Sequence, residues 1–200
     1  MEQKTQGKKI SDFRTTNATR IWYHNAPRYW IHAHTDECLP KVEYFNKADW
    51  EDEKKRKPYE IVESDQYKPL EFEQKTATIV NGVLNSSLFY WWYVIWSDGR
   101  HLLNQQIENF NVNPEIFNEK SLTRLNSLIN ALVEDYDKNI YSKVNLRMGG
   151  YIIRIKEFKP RKSKAIIDQI DDIFAEYFEF SEKEKEFIKT FDLKFRIEEE

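Results

Sequence analysis

The stretch Leu84-Asn85-Ser86-Ser87-Leu88-Phe89-Tyr90-Trp91-Trp92-Tyr93-Val94-Ile95-Trp96, followed at once by Ser97-Asp98-Gly99-Arg100-His101, divides the chain into two kinds of sequence. Before it, short runs alternate apolar and polar residues. From about Lys75 to Trp96, Ile79, Val83, Leu84, Leu88, Trp91 or Trp92, and Ile95 recur at the spacing of a helix face. Gly82 and the Asn85-Ser86-Ser87 cluster predict a break there, with Ser86 or Ser87 capping a second helix. The apolar run Leu88 to Trp96 is well short of the ~20 residues that span a bilayer, and it reads as core. The polar turn that ends it places Arg100 and His101 on a rim held by a packed element.

Working outward, the residues from Arg20 through Ile31-His32-Ala33-His34 alternate as strand material. Val42-Glu43-Tyr44-Phe45 and Tyr59-Glu60-Ile61-Val62 are further short strands. Between them the charged run from Trp50 to Pro58 predicts a solvated loop. In the other direction, Leu122, Leu125, Leu128, Ile129, Leu132, Val133 and Tyr136 form one stripe of a helix from Asn118 to about Tyr141, with Ser121 as its cap and Glu119 as an acidic opening. Tyr151 to Phe158 predicts one more strand. Pro160 separates it from a helix over 163–178, and Ser181-Glu182-Lys183-Glu184 has the form of a capping box that opens a last short helix. Strands first and helices after predict an α+β fold, with a small mixed or antiparallel sheet from the N-terminal half and a helical C-terminal portion. The expected division is a mobile N-terminal arm over 1–19, an α+β domain over 20–160 and a C-terminal helical segment over 161–200 packed on it.

Composition narrows the function classes. The net charge is −3, so a case for nucleic acid must rest on local clusters. Cys38 is the single cysteine, which excludes an intramolecular disulfide and suits a reducing cytoplasm, the expected location. The opening Met1-Glu2-Gln3-Lys4 is polar and unlike a secretory signal. Of five glycines only Gly149 and Gly150 are adjacent, and they precede a β-like run, so no glycine-rich turn can cradle a phosphate or nucleoside. No Pro-Asp…Glu-x-Lys nuclease set is present, and Asp168, Asp171 and Asp172 read as a solvated helix face.

Cations and amides that could meet DNA fall in three places. Arg100, with His101, follows a tight turn and could donate bidentately to guanine O6 and N7, or could instead pair with Asp98 or cap a helix. Asn104 and Gln105 or Gln106, just beyond, could pair with adenine or simply start a helix. Arg20, Tyr23, His24, Arg28 and Tyr29 interleave cations with aromatics, a composition suited to phosphate contact and to stacking on a distorted or extruded base. Within that block Trp22 and Trp30 are expected to face inward and Arg28 outward. Arg147, Arg154, Lys156, Lys159, Arg161, Lys162 and Lys164 concentrate charge around the later strand, where a β-ribbon could track a backbone. His32-x-His34 followed by Cys38 could ligate a metal, although structural zinc usually takes four ligands.

Three separated blocks also carry a resemblance. The stretch from Leu84 through Trp92 with Ser97-Asp98-Gly99-Arg100-His101-Leu102, the block Arg20-Ile21-Trp22-Tyr23-His24-Asn25-Ala26-Pro27-Arg28-Tyr29-Trp30, and the C-terminal residues Ser163 to Asp171, Tyr177 to Ser181, Phe187-Ile188 and Phe191 to Arg196 together cover most of the chain. In that order they resemble the target-recognition, or specificity, region of Eco57I-like, type IIG restriction-modification enzymes, which are adenine-N6 DNA methyltransferases with or without a fused nuclease. The family's catalytic Asn-Pro-Pro-Tyr motif is missing; Asn25-Ala26-Pro27-Arg28-Tyr29 is similar only in outline, with Arg28 where the second proline belongs. The resemblance therefore implies a part that is not an enzyme on its own and holds no cofactor. It implies duplex DNA and a catalytic methyltransferase or nuclease half as partners, no membrane, a role in restriction or phage defence, and S-adenosylmethionine, with magnesium as a further option, for the full enzyme. Two other readings stay open: a protein-interaction module that docks the catalytic half through exposed aromatics, and a small metal enzyme built on His32, His34 and Cys38.

Overall fold

The computed structural model describes residues 1–27, 29–35, 39–146 and 149–197, so Arg28, Cys38 and Arg147 lie outside the described residues. The fold is α+β with two antiparallel sheets. In the first, β1 (Arg14–His24) lies between β2 (Ala33–Thr35) and β5 (Tyr67–Phe72). Along β1 the inward positions are Ile21 and Tyr23, which are buried, whereas Trp22 is only partly covered and lies beneath the Arg20 guanidinium. This reverses the expected placement of Trp22. With a side-chain period of two, the face chosen for one residue fixes that of all its neighbours. Strand β5 escapes a sequence reading because it contains Pro69, which cannot donate to a ladder; it is tolerated because β5 is an edge strand.

The second sheet has the order β4-β3-β7-β6, from β3 (Lys41–Asn46), β4 (Glu60–Glu63), β6 (Tyr141–Leu146) and β7 (Tyr151–Glu157). It thus joins strands from both halves of the chain, and the helices between them are an excursion from one sheet system. Gly150, at φ +79°, lies in the turn between β6 and β7.

The helical layer holds α2 (Gln74–Leu84), α3 (Ser87–Trp96), the short α4 (Asn104–Glu108), α5 (Glu119–Lys138), α6 (Lys164–Phe178), α7 (Glu182–Thr190) and α8 (Leu193–Ile197), after an N-terminal turn, α1 (Glu2–Thr5). Gly82 does not break α2. A Cβ there would lie 2.7 Å from Leu125 Cδ1, so the glycine is what lets α2 and α5 approach closely. Ser86 caps α3 by accepting the Phe89 N–H at 3.1 Å, and Asn118, not Ser121, caps α5 by accepting the Ser121 N–H at 2.8 Å. The capping box at Ser181 and Glu184 forms as expected.

Asp171, read as part of a solvated face, is instead 3% exposed. It accepts the Ser87 N–H at 2.8 Å and so ties α6 to the start of α3. Burial pushes its carboxyl up to about 6, against the pull of the Ser87 hydrogen bonding. Helix α3 buries Leu88, Phe89, Tyr90 and Tyr93, but Val94, Ile95 and Trp96 are 37%, 50% and 63% exposed. The core reading of the whole run is therefore wrong for its last turn: a helix apolar on every side buries only the sides that meet a neighbour.

One buried cluster runs from Ile10 to Ile188 and takes residues from the first sheet and from α2, α3, α5, α6 and α7. Residues 1–19 are correspondingly not a free arm. Ile10 is fully buried and its N–H donates to Phe110 O at 3.0 Å, one apolar anchor outweighing the polar composition around it.

Candidate nucleic-acid interface

The site is built on β2, whose position is set by one amide. Asn85, 2% exposed at the end of α2, accepts the Ala33 N–H at 3.2 Å, donates to Ala33 O at 3.1 Å and to Asn81 O at 2.9 Å, and accepts the Tyr136 hydroxyl at 3.2 Å. It thus pairs with β2 as a neighbouring strand would. On either side of Ala33 stand His32 and His34, 8% and 0% exposed. Their rings meet edge to face at 5.1 Å; His24 stacks on His32 at 5.2 Å, and Phe158 stacks on His34 at 4.4 Å. His32 Nε2 and the Tyr67 hydroxyl share a hydrogen bond of 2.9 Å, and His24 Nε2 and Gln66 Oε1 share one of 3.0 Å. Burial, then the neighbouring imidazoles, holds His32 well below the usual histidine range, and burial, then His24, takes His34 down to about 3. The cluster is a neutral aromatic floor near pH 7.

Above that floor opens a cleft of about 610 Å³ between the two sheets. His24, Trp30, His32, Tyr67 and Phe158 supply rings, and Ser64 and Gln66 supply polar groups. The far wall comes from the β6–β7 hairpin. Its register pairs Tyr141 with Glu157 and Lys143 with Ile155, which puts these four on one face, and all four line the cleft. Lys159 and Arg161 line it as well, so with Lys143 cations crowd the mouth of a cleft in an acidic chain; Lys156 borders it but alternates onto the opposite face of β7. Among the described residues the one acid that lines it, Glu157, is engaged: it accepts the Tyr141 hydroxyl at 2.5 Å and pairs with Lys143 at 3.6 Å. Lys159 Nζ sits 4.6 Å from the Tyr141 ring centroid. Helix α8 closes one end. Its Arg196, 2% exposed, lies over Trp30 at 3.9 Å and Tyr90 at 4.4 Å and donates to Tyr29 O, while Trp30 Nε1 donates back to Arg196 O at 2.9 Å.

Of the residues expected to meet DNA, His24, Tyr29 and Arg161 line this cleft, together with Lys156 and Lys159. Arg100 and His101 are exposed, and their loop is tied to the same region by the Leu102 N–H, which donates to Asn25 O at 2.9 Å. The turn is held by Asp98 Oδ1, which accepts the Arg100 and His101 backbone N–H groups at 2.9 and 3.2 Å. These bonds hold the Asp98 carboxyl below its usual value and leave both following side chains at the surface.

Other candidates are structural. Tyr23 is 2% exposed, donates to Asn104 Oδ1 at 2.6 Å, and is pushed up to about 12, mainly by burial, so Tyr23 and Asn104 serve each other. Arg20 pairs with Glu71 across β1 and β5 at 3.1 Å. Arg154 pairs with Glu43 at 2.6 Å over the Phe45 ring, turned away from the cleft by strand alternation. Lys164 pairs with Asp168 within α6, and Lys162 is exposed. Among the described residues no three His, Cys, Asp or Glu side chains come together to hold a metal; Cys38 lies outside them.

Sequence reasoning missed Gln66, Tyr67, Lys143, Phe158 and Arg196 as lining residues. The alternation Tyr141-Ser142-Lys143-Val144 ahead of the glycine pair was a readable hairpin signal. Nothing in the sequence could have placed Arg196 beside Trp30. No helix among the described residues is long and apolar enough to cross a membrane. No protein-family model, no curated protein and no solved structure matches this chain.

Proposed function

We propose that the chain is the DNA target-recognition part of a site-specific adenine-N6 methyltransferase or restriction enzyme of the type IIG kind, and that the cleft mouth is where it meets the duplex. The observation that carries this reading is the gathering of Lys143, Lys159 and Arg161 around one aromatic-lined opening. Concentrated cations on an otherwise acidic chain suit phosphate contact, and the exposed Arg100, on a loop tied to Asn25 by the Leu102 N–H, suits a base edge. Methyl transfer would belong to a separate catalytic half that binds S-adenosylmethionine, so the chain alone is expected neither to methylate nor to cleave DNA.

The test is binding of the full chain to duplex DNA over a series of salt concentrations. Affinity is expected near ~10⁻⁴ to 10⁻⁶ M, with log K falling about 0.9 per neutralised phosphate in log salt. Lys143→Glu with Lys159→Glu should weaken binding to every sequence. Binding that ignores salt, or that survives both reversals, would overturn the reading. It would then favour a second one: Val94, Ile95, Trp96 and Leu103 form an exposed apolar group on and after α3, suited to docking another protein surface.

A further inference from the structure

We propose that the cleft between the sheets binds a single nucleotide, its planar ring against the His24, His32 and Tyr67 floor and its phosphate among Lys143, Lys159 and Arg161 at the mouth. This goes beyond duplex recognition, since it stands whether the nucleotide arrives free in solution or turned out of a DNA strand.

Size comes first. About 610 Å³ lies within the range of small-molecule clefts and admits one nucleotide, whereas a duplex can only cover the mouth. The floor comes second. The half-buried His24 ring, stacked on the buried His32, offers a π-face to any base, and the ring stack is rigid because Asn85, Tyr136 and Phe158 pack against it. An inorganic anion would gain nothing from such a surface. The charge pattern comes third: rings lie deep and cations at the rim, which matches a base attached to a phosphate and does not match an uncharged aromatic. Gln66 adds a reader. His24 Nε2 engages its Oε1 at 3.0 Å, which leaves the amide NH₂ to donate to an acceptor on a ring edge.

The experiment titrates the full chain by calorimetry with the four deoxynucleoside 5′-monophosphates, the matching nucleosides and inorganic phosphate. A monophosphate should bind well ahead of both its nucleoside and phosphate alone. His24→Ala should weaken it roughly tenfold, the scale of one lost stacking partner. Because His24 is half-buried, the exposed Gln66→Ala and the mouth substitution Lys159→Ala are measured beside it, with circular dichroism to establish folding; each should also weaken the monophosphate.

A second arm compares duplexes that are fully paired with duplexes carrying one unpaired nucleotide, and asks whether the monophosphate competes. Preference for the unpaired duplex, with competition, identifies a nucleotide extruded from DNA as the occupant. Monophosphate binding without any DNA binding identifies a free nucleotide; the cleft assignment then stands while the DNA-recognition reading fails. If no monophosphate binds and paired and unpaired duplexes bind alike, the cleft proposal is wrong even where DNA recognition is right. Equal binding of phosphate and monophosphate would also overturn it.

Discussion

The two sheets treat polar side chains in opposite ways. The first buries them: His32, His34 and Asn85 are packed among rings at or beside β2, and each that bonds does so to another buried group. The second keeps its lysines at the surface, with Lys143 on β6 at the cleft mouth and Lys156 exposed on the other face of β7. Polar residues of similar appearance in the sequence are thus buried and fixed on one side of the cleft and left at its mouth on the other. Burial makes the difference, since a buried polar group is costly unless it is partnered and so becomes fixed.

The largest expected effect tests the framework side. Asn85→Ala removes the partner of both Ala33 backbone groups and of the Tyr136 hydroxyl, so it should cost about 3 kcal/mol or more in a denaturant melt. A loss below about 1 kcal/mol would mean that β2 is held by the ring stack instead.

Next is acid sensitivity. His32 and His34 are held below the ordinary value of 6.5, so the unfolded chain binds their protons first; stability is full above about pH 6.5 and is lost as pH falls below it. Asp171 runs the other way: its carboxyl, raised from 3.8 to about 6, takes up a proton more readily when folded and offsets part of the loss below pH 6. His24 is lowered by burial as well, so three histidines stand against one raised carboxyl and a net loss of stability remains as pH falls below 6. Melts at stepped pH check this, and His34→Phe should flatten the profile.

On the cleft side the effects should fall on binding and spare the fold. If the chain reads DNA as proposed, Arg100→Ala should cost about 1–3 kcal/mol at one base-pair position and leave melting unchanged. Lys162→Ala, the smallest, should weaken binding to all sequences alike and flatten the salt slope by about one unit. Both are read by measuring affinity for single-base variants of the target at several salt concentrations. If Arg100→Ala unfolds the chain or changes neither quantity, the Asp98 turn is framework too, and the contrast between the two sides shrinks to the hairpin.

Much of the local structure was legible because local rules govern it. The stripe from Leu122 to Tyr136 gave α5, the Ser181 to Glu184 box gave the start of α7, and Tyr151 to Glu157 alternated as β7. Gly82 was misread because its reason is a neighbour, Leu125, that lies elsewhere in the chain. Trp22, Tyr23 and Asp171 were misassigned for a similar cause: a strand pattern offers two faces and an acidic helix several, and only the packed partner selects one.

By itself the sequence determined the class of fold, the caps of α3 and α7 and the cation-rich segment after Gly150, because propensity, capping and charge act over a few residues. Only the tertiary structure decided that β6 and β7 join β3 and β4, that His24, His32 and Tyr67 form one floor, and that Arg196 comes from the far end of the chain to lie over Trp30. These contacts link residues far apart in the chain, and which of them form depends on how the whole chain excludes water and satisfies its buried polar groups.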